Sequence, residues 1–489
     1  MFIGDLLIAH GLVSPADVAA ALELQRTQGG RLGDILVSAG KLNPTALETV
    51  VRNAPAGPTT LADTGLSLLD LLNLVLKTMY SSGHETTAAI CDIVKLSHRI
   101  VQLVFDAAVE RKLIEVLGSA GVRATDLRYS LTERGKQWAL EAFSKSQYVG
   151  PAPVPLEMYR ERVMMQAIAN ARVDRAGVER AFEGLAISPS FTLQIGPAIN
   201  SGKSILLYGP PGNGKTTVAE RIGAVFPDVI YIPYAFEVEG QIVKVFDAGV
   251  HVSLLQPGQP MRSAALRRED FDLRWIPCRR PFIVAGGELT LEMLDLSYNE
   301  AAKFYEAPLH VKALGGIFTI DDFGRQLVSP EALLNRWIVP LERRVDYLKL
   351  HTGKSFQVPF DELVIFSTNL SPQDLMDPAF LRRIPYKMLV GAPSPAEYKQ
   401  IFHTLAARSG LQLGDEHIDY IITALRDRAG MPLASYQPKF IIDQLKSTCK
   451  FAGIPLQFRP ELISMALGNL AVKDDSAIMP PTAAKSKAA

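Results

Sequence analysis

Cysteine is scarce in this chain. The three copies, Cys91, Cys278 and Cys449, lie far apart and match no spacing of a metal site, so we expect reduced thiols. The eight histidines form no H-E-x-x-H motif or comparable cluster. These absences argue against a thiol nucleophile and against a metal site built from cysteine or histidine.

Net charge and long apolar runs are also missing. The 51 basic residues balance 51 acidic ones, so no overall field draws the chain to nucleic acid, and DNA contact needs a local basic patch. No apolar run approaches the ~18–20 residues of a membrane span, and no basic region precedes the apolar N-terminal residues. We therefore expect a cytoplasmic protein without a membrane span. Its 489 residues predict three or four domains.

A phosphate-binding loop is the strongest motif present. The apolar run Ser204–Tyr208 ends at a glycine-rich turn, and a helix-forming segment follows. The turn matches G-x-x-x-x-G-K-[ST] between a strand and a helix, although a glycine turn before an ordinary helix is the plain alternative. Lys215 can reach the β- and γ-phosphates, and the Thr216 hydroxyl can ligate Mg²⁺. The residues predicted to bind ATP are Gly209, Pro210, Pro211, Gly212, Asn213, Gly214, Lys215, Thr216 and Thr217.

Two later apolar runs also end in polar side chains. The run that begins at Gly315 ends in Asp321 and Asp322, which is the Walker B pattern, and Leu363–Thr368 ends in Asn369. A carboxylate beside the phosphate loop can hold the hydration shell of Mg²⁺, and its neighbour can orient or deprotonate the attacking water. We assign Asp321 to magnesium and Asp322 to the water. The Asn369 amide suits water or the γ-phosphate.

Together these motifs resemble the AAA+ ATPases. G-P-P-G-N-G-K-T, I-D-D, S-T-N and D-P-A-F-L-R-R occur in that family's order and separation, over about residues 183–470. The resemblance implies Asn369 as sensor 1, either Arg382 or Arg383 as an arginine finger that acts on a neighbouring subunit, and therefore a homo-oligomeric ring, usually a hexamer. Most relatives carry Glu where Asp322 stands. This departure bears on the hydrolysis rate more than on nucleotide binding.

Further segments refine this resemblance. Val229–Pro233 is a strand candidate of the core. Tyr305-Glu-Ala followed by Gly-Gly-Ile-Phe resembles the MoxR-like and enhancer-binding subgroup, which carries an insert in its second core helix. The arginine-rich segment 262–280 is that insert, a pore-facing loop or a solvated surface. Helical patterns after Pro393 suit an α-helical lid, in which Lys439 stands in place of the sensor 2 arginine.

The first 54 residues contain an internal repeat with an offset of 29 residues. Each unit reads as a short helix, a glycine cap, an N-cap residue followed by proline, and a second helix. The repeat resembles the MshEN-type domain of type II secretion and pilus-assembly ATPases, some of which bind cyclic di-GMP. Phe2 replaces one arginine of the pattern, so a protein-docking or purely structural module is the alternative. The resemblance implies as cyclic di-GMP contacts Gly4, Leu7, Gly11, Gln25, Arg31, Leu32, Gly33, Leu36 and Gly40.

Residues 66–148 resemble a winged helix, with three helices, a β-hairpin and a last helix that starts at Thr132. The third helix would be the DNA reader. It mixes basic and acidic side chains on an apolar body, whereas a DNA reader shows a basic stripe. We therefore favour protein scaffolding over DNA binding. The charged residues of the third helix are Arg99, Asp106, Glu110, Arg111 and Lys112.

The expected fold is multidomain, α and α/β, with a helical N-terminal module, a winged helix and an AAA+ α/β P-loop core with an α-helical lid. The expected function is hydrolysis of ATP with Mg²⁺ to remodel or position an unknown protein client, under cyclic di-GMP control. The alternatives are a DNA-associated transcriptional or assembly regulator, and a nucleotide-switched scaffold with little turnover. The predicted segments are 1–54 (module), 66–148 (winged helix), 149–182 (linker helices), 183–392 (core), 393–473 (lid) and 474–489 (disordered tail).

Overall fold

The computed structural model describes residues 3–119, 127–255, 271–375, 378–428 and 431–470. The helices of this part are α1 (Ile3–Ala9), α2 (Pro15–Gln28), α3 (Leu32–Ser38), α4 (Pro44–Asn53), α5 (Leu68–Ser82), α6 (Thr87–Val94), α7 (His98–Glu110), α8 (Glu133–Lys145), α9 (Leu156–Met165), α10 (Arg175–Ala181), α11 (Pro189–Ser201), α12 (Lys215–Gly223), α13 (Leu309–Lys312), α14 (Pro330–Arg336), α15 (Ile338–Arg343), α16 (Pro372–Leu375), α17 (Pro378–Leu381), α18 (Pro395–Ser409), α19 (Asp415–Thr423), α20 (Gln437–Ala452) and α21 (Pro460–Leu470). None of them has both the length and the apolar character needed to cross a membrane.

Sixteen strands lie in the same described ranges. They are β1 (Ile114–Ser119), β2 (Leu127–Leu131), β3 (Val154–Pro155), β4 (Ile205–Tyr208), β5 (Val229–Pro233), β6 (Ala235–Val238), β7 (Gln241–Lys244), β8 (Trp275–Arg279), β9 (Phe282–Ala285), β10 (Ser297–Asn299), β11 (Phe304–Glu306), β12 (Ile317–Ile320), β13 (Val345–Lys349), β14 (Ser355–Pro359), β15 (Leu363–Thr368) and β16 (Tyr386–Leu389).

The N-terminal repeat forms two helical hairpins, α1–α2 and α3–α4, as the repeat predicts. The same glycine in each unit allows the two helices to touch. A Cβ added to Gly4 would lie 2.9 Å from a Val18 side-chain carbon, and one added to Gly33 would lie 2.8 Å from a Leu47 carbon. Val18 and Leu47 are themselves equivalent positions of the repeat. Helix packing therefore explains both glycines.

The next unit has the predicted order of three helices (α5, α6, α7), a hairpin (β1, β2) and a helix (α8). The hairpin strands are antiparallel. Of the predicted connecting segment, 118–126, the first two residues belong to β1 and residues 120–126 lie outside the described residues. Thr132 caps α8, and Gly135 one turn later faces the backbone so closely that a Cβ would lie 1.9 Å from the carbonyl oxygen of Leu113. The winged-helix assignment itself stays a prediction.

A five-stranded parallel sheet forms the α/β core, in the order β16-β4-β15-β12-β9. Every residue of β12 and β15 is buried, as expected for a parallel sheet covered on both faces. Ile205 and Leu207 pack with residues of α10, α11 and α12, whereas Leu206 packs with Trp337 and other residues on the opposite face. The expected multidomain α and α/β fold is thus present.

Val229–Pro233 is a strand, as predicted, but it lies outside the parallel sheet. This β5 pairs antiparallel with β8, and the edge strand beside β12 is instead β9. The side chains of Ile230 and Trp275 belong to a hydrophobic cluster shared with Leu6 and Leu36 of the N-terminal module. A second, mixed sheet of order β10-β11-β7-β6-β3 adds to this region. The chain therefore leaves the parallel-sheet core after α12 and returns at β9.

The described part of the arginine-rich segment, residues 271–280, is mostly buried. Arg274 is fully buried, forms an ion pair with Asp272 at 2.8 Å and donates to the carbonyl of Thr64 at 2.8 Å. Arg280 bonds to Asp228 at 2.5 Å and joins the start of β9 to the chain after α12. These two arginines hold separate segments together. Arg262, Arg267 and Arg268 lie outside the described residues.

The C-terminal region is helical, as predicted, with α18 to α21 packed around one apolar cluster. A π-helical segment, Ala424–Arg428, continues α19. Side chains at the centre include Tyr398, Phe402 and Ile441, all fully buried. The predicted tail, 474–489, lies outside the described residues.

Candidate functional site

The predicted site residues meet at one edge of the parallel sheet. The strands β4, β15 and β12 are neighbours, with Tyr208 opposite Thr368 and Phe366 opposite Ile320. Because parallel strands end at the same edge, the residues that follow them lie together, which is where open α/β sheets bind ligands. Gly209 follows β4, Asn369 follows β15, and Asp321 follows β12.

The phosphate loop has the predicted strand–loop–helix form, with β4 before it and α12 beginning at Lys215. Three of its glycines have positive φ, at +143° for Gly209, +76° for Gly212 and +85° for Gly214. A side chain is strongly disfavoured in this region of φ, so glycine is required. Gly209 is also tightly packed, because an added Cβ would lie 2.4 Å from the carbonyl oxygen of Val390.

Lys215 is buried inside the loop, with 7% of its surface exposed. Its ammonium donates to the carbonyl oxygens of Gly209 at 2.9 Å and Pro210 at 3.0 Å, and to Oδ1 of Asn369 at 2.6 Å. Burial lowers the pKa of Lys215, and the negative charges of Asp322 and Asp321 oppose that shift. A cation with these donors can bind a phosphate oxygen in exchange for the loop carbonyls.

Thr216 and Asp321 contact each other directly. The Thr216 hydroxyl donates to Oδ2 of Asp321 at 2.8 Å. The Asp321 amide donates to the Ala285 carbonyl at 2.9 Å, which fixes the end of β12 to the end of β9. A hydroxyl and a carboxylate side by side are the oxygen ligands that Mg²⁺ prefers, with phosphates and water completing its shell. In the described ranges no cluster of three or more His, Cys, Asp or Glu could hold a metal by itself. These residues therefore fit Mg²⁺ that arrives with a phosphate ligand.

Asp322 stands in a left-handed conformation, with φ of +48°. For a residue other than glycine this conformation is uncommon and must be held by its surroundings. Asn369 Nδ2 donates to Oδ1 of Asp322 at 2.8 Å, and Gln326 Nε2 donates to the carbonyl oxygens of Asp321 at 2.8 Å and Asp322 at 3.2 Å. Gln326 is thus a positioning residue that the sequence motifs do not reveal.

Comparison with known proteins names no activity. Residues 394–469 match a domain of unknown function (DUF8689). No curated protein matches the chain. The solved structure of NtrX from Brucella abortus is 14% identical with a TM-score of 0.36, and the match covers 70% of this chain and 63% of the NtrX chain. The solved structure of a mutant RuvB from Thermotoga maritima is 13% identical with a TM-score of 0.32, and the match covers 63% of this chain and 74% of the RuvB chain. This chain thus spans less than two thirds of the NtrX structure.

The two candidate finger arginines have different surroundings. Arg383 Nε donates to Oε1 of Glu342 at 2.6 Å, and its guanidinium lies over the Phe380 ring. Arg382 is exposed, and no described residue forms an ion pair with it. Asp377, which opens the motif, lies outside the described residues. Of the two arginines, Arg382 is thus the more exposed.

Lys439 forms an ion pair within its own helix in this structure. Its ammonium donates to Oδ2 of Asp443 at 2.6 Å within α20, and 71% of its side-chain surface is exposed. The lid residues that contact the phosphate loop are Ser435 and Tyr436, just before α20, which the sequence analysis did not single out. The role of Lys439 in nucleotide binding stays a prediction.

Most of the residues predicted to contact cyclic di-GMP are buried inside the N-terminal module. Leu7 and Leu36 are fully buried, and the buried Gln25 side chain donates to the Gly30 carbonyl at 2.7 Å. The remaining buried positions of the pattern are Gly4, Leu32 and Gly33, and the exposed ones are Gly11, Arg31 and Gly40. Six of the nine positions are thus explained by packing.

Proposed function

We propose that this protein is an ATPase of the AAA+ type, which binds ATP with Mg²⁺ at the edge formed by β4, β15 and β12. The observation that carries the proposal is a single hydrogen-bonded network there. Lys215 bonds to Asn369, Asn369 bonds to Asp322, and Thr216 bonds to the adjacent Asp321. Residues that the sequence assigns separately to phosphate, magnesium and water are therefore neighbours.

The roles follow from the chemistry of each group. Lys215 exchanges its carbonyl partners for phosphate oxygens, and Thr216 with Asp321 holds Mg²⁺, which supplies charge neutralisation on the phosphates when bound. Asn369 orients the attacking water, and the Asp322 carboxylate accepts its proton. Because Asn369 bonds to both Lys215 and Asp322, a phosphate oxygen that binds Lys215 competes with the Asn369 side-chain oxygen.

We infer that hydrolysis is completed in trans, within a homo-oligomeric ring, by Arg382. Its exposure and the engagement of Arg383 with Glu342 support this choice. A cation that arrives from a neighbouring subunit stabilises charge only in the assembled site. A hexamer is the expected ring.

We propose that ATP hydrolysis acts on a protein client rather than on DNA. The exposed face of α7, the candidate DNA reader, carries one arginine, two acidic residues and two apolar side chains, so it lacks the basic stripe of a DNA-binding helix. Its exposed residues are His98, Arg99, Leu103, Asp106, Val109 and Glu110. For the N-terminal module we propose protein docking as the first role, with the exposed Arg31 as the cation through which cyclic di-GMP would act.

A nucleotide-switched scaffold with little turnover is the second candidate. The observation that favours it is the bond from Asn369 Nδ2 to Asp322 Oδ1, which engages one oxygen of the carboxylate that must accept a proton. Single-turnover measurements separate the two: the switch binds MgATP and releases it intact, whereas the ATPase releases ADP.

The direct test is calorimetric titration of the whole chain with MgATP, for the wild type and for Lys215→Ala. We expect saturable binding by the wild type and none by the variant, because the ammonium is the main phosphate partner. Unchanged affinity in the variant would show that ATP binds elsewhere. Mass spectrometry of nucleotides that co-purify with the native protein gives an independent identification of the ligand.

A further inference from the structure

The lid contacts the middle of the phosphate loop through its backbone. The Tyr436 amide donates to the Gly212 carbonyl at 2.9 Å, and the Ser435 amide donates to Oδ1 of Asn213 at 3.2 Å. The Tyr436 ring lies against the Gly212 Cα, where an added Cβ would be 2.4 Å from a ring carbon. Three contacts thus join two segments more than 200 residues apart, since the Ser435–Asn213 separation is 222.

These contacts fix the direction of one peptide group. In a planar trans peptide the C=O and the N–H point in opposite directions. Because the Gly212 carbonyl points at the lid, the Asn213 amide of the same peptide points away from the lid. Among the described residues, none accepts a hydrogen bond from that amide. It is therefore a donor available to a phosphate oxygen.

We propose that Ser435 and Tyr436 form a backbone clamp by which the lid positions the phosphate loop, so that lid docking and phosphate affinity are coupled. The inference rests on the proposed function, because it concerns the same nucleotide site. Tyr436 acts as a positioning residue through Gly212 and not as a group that touches the base. By linkage, phosphate binding tightens the clamp by the same factor by which the clamp tightens phosphate binding.

Three substitutions at one position separate the amide from the side chain. Tyr436→Phe keeps both the ring and the amide and serves as the matched control. Tyr436→Ala removes the ring, and Tyr436→Pro removes the amide hydrogen as well. Proline fits the backbone here, because φ of Tyr436 is −78° and the residue precedes α20. The comparison of the proline with the alanine variant isolates the bond to Gly212.

The probes are MgATP and magnesium tripolyphosphate, which has no base or ribose, titrated calorimetrically into the full chain. We expect the proline variant to bind both probes about three- to tenfold more weakly than the alanine variant, because one hydrogen bond between neutral backbone groups is lost. The phenylalanine variant should match the wild type. Equal affinities of the proline and alanine variants would overturn the clamp, and so would a loss confined to MgATP, which would place Tyr436 at the base.

Hydrogen exchange of the wild type tests the same coupling without a substitution, in case the proline variant does not fold. Saturating magnesium tripolyphosphate should slow exchange of the Tyr436 amide, whose acceptor is Gly212. An unchanged rate would overturn the clamp even though the chain binds the probe. A wild type that binds neither probe would instead overturn the proposed function, so the two failures are distinguishable.

Discussion

Replacement of Arg382 by alanine should abolish most ATP turnover while it leaves nucleotide affinity intact. Arg382 is exposed and lies beyond α17, outside the hydrogen-bonded network of its own subunit's site. Its loss therefore removes nothing that binds the nucleotide in the same chain. The matched control is Arg383→Ala, which changes the neighbouring residue by the same truncation.

The expected loss of ATP turnover differs between Arg382→Ala and Arg383→Ala. An arginine finger contributes about 10³-fold or more to turnover, which corresponds to about 4 kcal/mol of transition-state stabilisation. Arg383 instead forms a surface ion pair with Glu342, with side chains 17% and 47% exposed. Such pairs contribute about 0–1 kcal/mol to stability. Arg383→Ala should therefore lower the melting temperature slightly and change turnover by less than about tenfold.

The assay is steady-state ATP hydrolysis over a range of protein concentrations, with mixing experiments. Turnover per chain should fall on dilution, because the site is complete only in the ring. Arg382→Ala mixed with Lys215→Ala protein should regain part of the activity, since a mixed ring places an intact loop beside an intact arginine. Specific activity that stays constant on dilution, without complementation, would refute the finger in trans.

Two further predictions concern packing and acid stability. Gly135→Ala should lower the free energy of unfolding by at least about 1–3 kcal/mol in thermal or urea unfolding, since the new Cβ would lie 1.9 Å from the Leu113 carbonyl oxygen; an unchanged midpoint would refute the close contact. Burial raises the pKa of Asp346, but hydrogen bonds from His310 and Arg336 outweigh it and lower the pKa to about 2. The stability that this carboxylate adds, about 2 kcal/mol, is present above pH ~4 and is lost as the pH falls toward 2. Asp346→Asn should remove that part of the pH dependence of unfolding, and an identical acid profile would contradict the assignment.

The local features of the site were accessible from the sequence. A strand, a glycine turn and a helix follow one another within a few residues around Lys215, and Asp321 and Asn369 each directly follow an apolar strand. Such patterns depend on neighbours along the chain. Because β4, β15 and β12 are neighbours in the sheet, the side chains of Lys215, Asp321 and Asn369 lie together.

The features that the sequence did not reveal are contacts between distant segments. The β-branched and aromatic residues of β5 predict a strand, but nothing in Val229–Pro233 indicates that its partner is β8 rather than a core strand. Arg280 reads as surface charge until Asp228, 52 residues earlier, is placed beside it. The contact of Tyr436 with Gly212 likewise has no local signal, because it depends on how the lid packs.

The central claim is that the network around Lys215, Asp322 and Asn369 hydrolyses ATP. It is tested most directly by a single-turnover measurement with radiolabelled MgATP on the wild type and Asp322→Asn. The amide oxygen of the variant can still accept the bond from Asn369, so MgATP affinity should be unchanged, while ADP formation should slow by about 10²–10⁴-fold. Equal rates of ADP formation, or equal loss of MgATP binding in Asp322→Asn and Lys215→Ala, would contradict the account.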